Sequence, residues 1–315
     1  MKIVSQGEID EALRNRIEDA APNVNLVLTG SQEELLREIG DADAFLGQIT
    51  PALLSAAGKL QWVQASSAGL EGVVFSELIE SDVTLTNMRG IYNDQGADHA
   101  LALILGLAKR IPRAIRQQLE RRWDPTDYSR VDLSEQTLGI IGLGGIGYEL
   151  ARRGHVCGMR VIAVDPRRTE RPPEVAELWP EDQLDRLLGE SDFVASCTPH
   201  TPQTEGLMTL EKFRLMKPTA FFVNISRGAI VKLDDLVTAL EERIIAGAGL
   251  DVYETEPLPS EHPLWAQANV IMTPHVAAGG TPVNNQRREE LIVENIRRFV
   301  NREPLLNMGD KANWF

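Results

Sequence analysis

Short apolar runs alternate with amphipathic stretches along the first hundred residues: KIVS, EIDEALRNRIEDA, NVNLVLT, SQEELLREIG, DAFLGQ, TPALLSAAG, LQWVQAS and, after a further helix-like stretch, DVTLTNM. Strand-length runs spaced by helix-length segments predict parallel strands joined by crossover helices. From about Asn93 to Glu120 the pattern turns helical, with an apolar stretch through Leu101, Leu105 and Ala108, and Pro112 should end or kink that helix. The charged stretch RRWDPTDYSRVDLSEQ that follows suits an exposed arm. A second alternation opens at Thr137 with six strand candidates, TLGII, RVIAVD, DFVASC, AFFVNI, GAGLDV and NVIMTP, the count of a six-stranded doubly wound sheet. Beyond Thr281 the chain is helical through Arg298 and ends in a tail containing Pro304. The pattern predicts an α/β protein of two doubly wound parallel-sheet domains. One spans residues 1–98 and 282–315, made discontinuous by the last helix packing back on it, and the other spans residues 99–281.

Composition narrows the partners. At 315 residues and 43% hydrophobic content the chain can bury two cores. A net charge of -14 and a pI near 4.9 argue against nucleic acid or an anionic membrane surface, because the long-range field repels both. The opening MKIVSQGEID places acids where a secretory signal needs its apolar core, and the longest apolar run, near ALALILGLA, is too short to span a bilayer. A soluble cytoplasmic protein is expected. The two cysteines, Cys157 and Cys197, form no disulfide framework and no metal-ligand spacing, so both read as small buried side chains and no metal is expected.

Chemistry first shows at IGLGGIG, between the apolar strand TLGII and a helix-like stretch. Gly142 permits the tight turn, Gly144 lets backbone approach a pyrophosphate, and Gly147 lets helix pack closely on strand, so that N–H groups at a helix start receive the phosphates. Asp165 ends the next strand, where an acid takes the ribose hydroxyls, which favours NAD. Arg167 and Arg168 follow at once; they read as solvated charges or as groups that swing onto a 2′-phosphate, making NADP usable.

Arg227, Glu256 and His275 each sit just past a strand candidate in this half of the chain. Singly they have ordinary readings: a surface ion pair, a solvated loop acid, a satisfied core histidine. Parallel strands bring their carboxyl ends to one crevice, so together they read as a guanidinium, a carboxylate and an imidazole gathered beside a nicotinamide. Arginine offers a planar fork for a carboxylate and a 2-oxo group. A protonated histidine can give its proton to a developing alkoxide, and an adjacent carboxylate favours the imidazolium and orients the ring.

With the glycine fingerprint, SRG after the fourth strand, DVYETEP after the fifth and TPH after the sixth, the chain resembles the D-isomer-specific 2-hydroxyacid dehydrogenase family, in particular its glyoxylate/hydroxypyruvate reductase-type members. The resemblance implies a flavodoxin-like substrate domain built from both chain ends, a Rossmann coenzyme domain between them, a hinged cleft and homodimers. It also implies that Arg227 binds substrate, that Glu256 is the acid beside the proton donor His275, and that Asp251 approaches the nicotinamide side. Gly145 and Ile146 would touch the pyrophosphate, while Thr198, Pro199, Ile225, Ser226 and Arg227 would line the coenzyme. Ser67, Ala68 and Gly69 would present backbone N–H groups to the substrate carboxylate, with Gln48 and Ile49 at the side-chain selectivity position.

Departures from the family pattern bear on substrate. The SSAG loop lacks the lysine of phosphite dehydrogenases, the chain stops before the regulatory module of many phosphoglycerate dehydrogenases, and no arginine cluster marks a substrate phosphate in the first domain. Small unphosphorylated acids of glyoxylate, hydroxypyruvate or pyruvate type are therefore preferred. Asp98 stands where the family usually has glutamate and reads as structural, as do His99, His155, His200 and His262, although His200 borders the expected coenzyme loop. Trp123 lies in the arm, either reaching a partner subunit's pocket or packing within the interface. The alternative function on the same fold is a dinucleotide-sensing, corepressor-like binding protein.

Overall fold

The structure is a computed structural model that describes residues 1–126, 128 and 130–315; Asp127 and Ser129, both in the anticipated arm, lie outside the described residues. It divides into two compact units, Met1–Ile91 with Gly280–Phe315, and Tyr92–Gly279.

In the first unit β1 (Lys2–Gln6), β2 (Asn25–Thr29), β3 (Ala44–Leu46), β4 (Trp62–Gln64) and β5 (Thr84–Thr86) form a parallel sheet of order β2-β1-β3-β4-β5. That order is flavodoxin-like, with the chain reversing direction across the sheet between β1 and β3. Side chains alternate across a strand, so neighbouring residues feed separate cores on the two faces. Phe45 and Val63 pack with Leu35, Leu53 and Leu78 on one face, and Ile3, Ala44 and Trp62 with Ile17 and Ile296 on the other.

Ile296 belongs to the C-terminal helix Pro282–Asn301, capped by the Thr281 hydroxyl, which accepts from Asn284 N, and carrying proline in its first turn. The helix returns the chain end to the first unit through specific polar contacts. Buried Asn295 donates to Gln64 Oε1 (3.0 Å) and Leu306 O (3.1 Å) and accepts from Leu306 N (2.8 Å).

The second unit carries β6 (Thr137–Ile141), β7 (Arg160–Val164), β8 (Glu177–Trp179), β9 (Phe193–Ser196), β10 (Phe221–Asn224), β11 (Gly247–Leu250) and β12 (Val270–Met272). Their order is β12-β11-β10-β9-β6-β7-β8, parallel throughout. The sheet has seven strands where the pattern counts six. The missed one is the edge strand β8, three half-buried residues paired on one side only, too short to show a hydrophobic period. SRG therefore follows the fifth strand of this sheet, DVYETEP the sixth and TPH the seventh.

The unit boundaries also differ from the sequence pattern, falling at Ile91/Tyr92 and Gly279/Gly280 instead of 98/99 and 281/282. Helix Asn93–Ala108 packs as one body, with Gly96 against Ile146 and Gly106 against Ile271, so no boundary can fall inside it. The helical stretch breaks at Arg110, in the left-handed region (φ 57°), and restarts as Ile111–Leu119 with Pro112 in its first turn, where a missing N–H costs nothing.

Asn295→Ala should leave buried Gln64 and the Leu306 backbone short of partners and lower stability by about 1–3 kcal/mol, read as a reduced urea midpoint at unchanged slope.

Candidate active site

The glycine turn is a set of close backbone approaches. Gly142 has φ 91°, and a Cβ there would lie 2.9 Å from the Thr198 backbone; a Cβ on Gly147 would lie 2.1 Å from Gly142 O. Both positions thus exclude any side chain. Gly144 is different, because a Cβ there would meet nothing within 4 Å. It caps helix Gly145–Val156, whose first-turn N–H groups, including those of Gly145, Ile146 and Gly147, have no intrahelical partner. An open approach to a helix start suits a pyrophosphate.

Asp165, just beyond β7, ties this turn to its own loop. Its Oδ2 accepts from Leu143 N (2.8 Å), and its Oδ1 from Arg167 N (2.9 Å) and Arg168 N (2.8 Å). The two arginines then part. Arg168 donates to Leu143 O (3.1 Å) and lies over the Tyr148 ring at 4.9 Å, so its guanidinium is committed to the turn. Arg167 is exposed. The free N–H groups at the helix start fit a dinucleotide's phosphates, and the Asp165 carboxylate is an acceptor for its ribose hydroxyls.

Thr198 and Pro199 follow β9; the Pro199 carbonyl accepts from the Thr204 hydroxyl at 2.7 Å. After β10, Asn224 organises the next turn by accepting from Ser226 N (3.1 Å) and Ser226 Oγ (2.7 Å) and donating to Arg227 O (3.0 Å). Ile225 is buried, and Arg227 donates to Ser226 O at 2.7 Å. A Cβ on Gly228 would fall 1.8 Å from the Tyr253 carbonyl, so the loop carrying Arg227 lies directly against the loop carrying Glu256.

That second loop follows β11, the neighbour of β10, and His275 follows β12, the neighbour of β11. Glu256 accepts from Tyr253 N (2.9 Å) on one oxygen and meets His275 Nδ1 (2.7 Å) with the other. A carboxylate only accepts, so Nδ1 carries the proton in this contact and Nε2 is the ring's outward nitrogen. His275 is held at φ 53°, its N–H donating to Asp251 O at 2.8 Å. Asp251, read from the sequence as a neighbour of the nicotinamide, is fully buried and turns both oxygens to the His275 loop, accepting from Val276 N and Ala277 N at 2.9 Å each. Burial, with the nearby Asp251 carboxylate, pushes the Tyr253 phenol up, keeping it a donor to Thr273 O (3.1 Å).

In the first unit, Ser67, Ala68 and Gly69 follow β4 with their carbonyls tied down: Ser67 O accepts from Met88 N, Ala68 O from Asn87 Nδ2, and Gly69 O from Ser67 Oγ. Gln48 N donates to Gln6 Oε1 (3.0 Å) and its side chain to Gly72 O (3.4 Å). Ile49, expected at the selectivity position, is instead 2% exposed, its side chain part of the core that also holds Phe45 and Leu53.

A cavity of about 310 Å³ at the carboxyl ends of β1, β3 and β4 runs from Gln6 and Gln64 to Ser66 and holds the Arg288 side chain, whose Nε is buried without a hydrogen-bond partner. Arg288 lies on the C-terminal helix, where no sequence motif singles it out.

Neither cysteine is fully buried, though burial of its thiol pushes Cys197 up to about 12, which removes a thiolate at neutral pH. Among the described residues no cluster of His, Cys, Asp or Glu could hold a metal ion, and no helix is long and apolar enough to cross a membrane.

Similarity to known proteins agrees with this arrangement. Residues 101–277 match the family described as D-isomer specific 2-hydroxyacid dehydrogenase, NAD binding domain. A glyoxylate reductase of Korarchaeum cryptofilum (strain OPF8) is 36% identical over 279 residues, covering 85% of this chain and 83% of the relative. The crystal structure of a D-isomer specific 2-hydroxyacid dehydrogenase family protein from Aeromonas salmonicida subsp. salmonicida A449 superposes with TM-score 0.83 at 30% identity, covering 98% of this chain and 99% of that one. An NADPH-dependent glyoxylate/hydroxypyruvate reductase from Sinorhizobium meliloti, in complex with NADP and sulfate, gives TM-score 0.83 at 25% identity over 100% of this chain and 99% of that one. Nothing among these likenesses supports a corepressor-like protein. With its fingerprint, its strand-end residues and these matches in agreement, the chain belongs to the D-isomer-specific 2-hydroxyacid dehydrogenase family.

Proposed function

We propose that the protein reduces small unphosphorylated 2-oxo acids, of glyoxylate, hydroxypyruvate or pyruvate type, to D-2-hydroxy acids with NAD(P)H. The observation that carries the reading is the 2.7 Å contact between His275 Nδ1 and Glu256, on loops from adjacent strands, with the Arg227 loop packed alongside. A reduced nicotinamide bound at the glycine turn supplies the hydride. Arg227 holds the substrate carboxylate and polarises the 2-oxo group with its planar fork. His275 gives the Nε2 proton to the oxygen as it becomes an alkoxide, and takes it back in the oxidation direction. Glu256, itself held by Tyr253 N, fixes the ring through Nδ1 and stabilises the imidazolium.

Gln48 and the Ser67–Gly69 amides serve as substrate-binding groups, with Arg288 as a single cationic side chain for a polar end of the substrate. Asp165 favours NAD, and exposed Arg167 makes NADP usable. The assembly is a homodimer. Its support is the stripe Ile111, Ile115 and Leu119 at helical spacing on one face of helix Ile111–Leu119, exposed by 46%, 51% and 80%, with Trp123 96% exposed beyond it.

His275→Ala should lower kcat by about 10²–10⁴-fold while NADH affinity, measured by fluorescence titration, stays within about twofold; equal losses in both would mean another residue donates the proton. Arg167→Ala should reduce kcat/KM with NADPH by about tenfold or more and spare NADH, as expected for loss of a hydrogen bond to a charged group. Ile115→Asp should give monomers by light scattering, while Trp123→Ala in the intact dimer tests the arm: a changed ranking of 2-oxo acids supports its reaching the pocket, and an unchanged ranking leaves it as interface packing.

A further inference from the structure

His99 looks structural in the sequence, a lone histidine on the helix Asn93–Ala108. In the structure its Nε2 lies 2.9 Å from Thr273 Oγ1, and Thr273 Oγ1 lies 2.6 Å from Asp251 Oδ1. The proton order follows from donor capacity. Asp251 accepts, so the threonine spends its single proton on the carboxylate, and Thr273 Oγ1 must then accept from His99 Nε2–H. The neutral Nε2–H tautomer and the imidazolium both satisfy this, and the other neutral tautomer does not.

The acceptor at the end of this chain holds the loop of interest. Asp251 receives Thr273 Oγ1, Val276 N and Ala277 N, three donors that bracket His275 on both sides, while its own carbonyl takes His275 N. His275 is thereby kept in the left-handed region, a conformation uncommon for a side-chain-bearing residue and one that persists only where its surroundings impose it. The same helix grips the far end of the loop, where Gly279 N donates to Gln95 Oε1 at 3.0 Å.

We propose that His99 is a positioning residue for the proton donor: its Nε2–H orders Thr273, Thr273 orders the buried Asp251 carboxylate, and Asp251 sets the backbone that aims His275 Nε2. This rests on His275 being the proton donor. Losing the first member frees the Thr273 hydroxyl to rotate toward Leu250 O, 3.4 Å away, and leaves Asp251 one donor short. A displacement of about 1 Å at a reacting group costs up to about 10²-fold in rate, and that sets the size of the effect.

The test uses the full-length protein with NADH and glyoxylate, comparing His99→Ala, His99→Gln, His275→Ala and the double variant His99→Ala/His275→Ala. His99→Ala should lower kcat by about 10- to 100-fold with NADH affinity within about twofold, and should enlarge the solvent deuterium isotope effect on kcat as proton transfer becomes limiting. His99→Gln, which carries an N–H donor at similar reach, should recover most of the loss. In the His275→Ala background, removing His99 should cost kcat little more, because the two act through one atom.

Unchanged kcat in a folded His99→Ala protein overturns the proposal, as do additive losses in the double variant. Loss of thermal stability in both His99 variants with kcat per active site intact also overturns it, leaving a packing role. If His275→Ala itself retains kcat, the assignment of the proton donor fails instead, and the His99 result is then read against that failure.

Discussion

The whole arrangement depends on backbones coming closer than any side chain allows. The loops after adjacent parallel strands must touch if a guanidinium, a carboxylate and an imidazole are to share one edge. Gly228 lets the Arg227 loop lie against the Tyr253 carbonyl, and Gly142 and Gly147 let strand, turn and helix interlock behind the coenzyme loops. A methyl group at any of these points would meet main-chain atoms, which cannot swing aside as a side chain can. Glycine here is a spacing device as much as a flexible joint.

A second constraint sits beneath the first. A fully buried carboxylate is costly unless it is hydrogen-bonded, and Asp251 is surrounded by donors from the very loop that presents His275. The same buried charge thus stabilises the loop and dictates its path. Asp165 works in a similar way at the opposite side of the sheet, where one carboxylate closes the turn after β7 and pins Leu143 of the glycine turn. In both places an acid that sequence motifs assign to a ligand is also the local organiser of the backbone. The proposed ligand roles draw on groups the fold has already fixed, which is the preorganisation that proton and hydride transfer require.

The two units solve a shared problem with different strand orders. Each reverses the direction of its chain across a parallel sheet and opens a crevice at the carboxyl ends, where the functional loops collect. In the first unit the chain end completes the structure, with Ile296 filling one core and Asn295 satisfying Gln64 beneath the loop of Ser67–Gly69. Substrate selectivity, on the proposed reading, is therefore supported by residues from both ends of the chain.

Much of this was legible beforehand, because the signals are local. Alternating apolar runs announced eleven of the twelve strands, and a glycine turn between strand and helix is a short-range pattern with a direct physical cause. Arg227, Glu256 and His275 could be picked out because each follows a strand, and parallel strands end together. The tertiary structure decided what depends on distant neighbours. Strand β8 exists because β7 offers it an edge, not because ELW has a strong pattern of its own. Ile49 is lost to the core shared with Leu35 and Leu78, while Arg168 is drawn onto Tyr148 and Asp251 is turned to the His275 loop by partners 20 or more positions away. His99 shows the limit most plainly, since it gains its place behind Asp251 from a residue 174 positions away. Periodicity fixes which face a side chain takes; only packing fixes what it meets there.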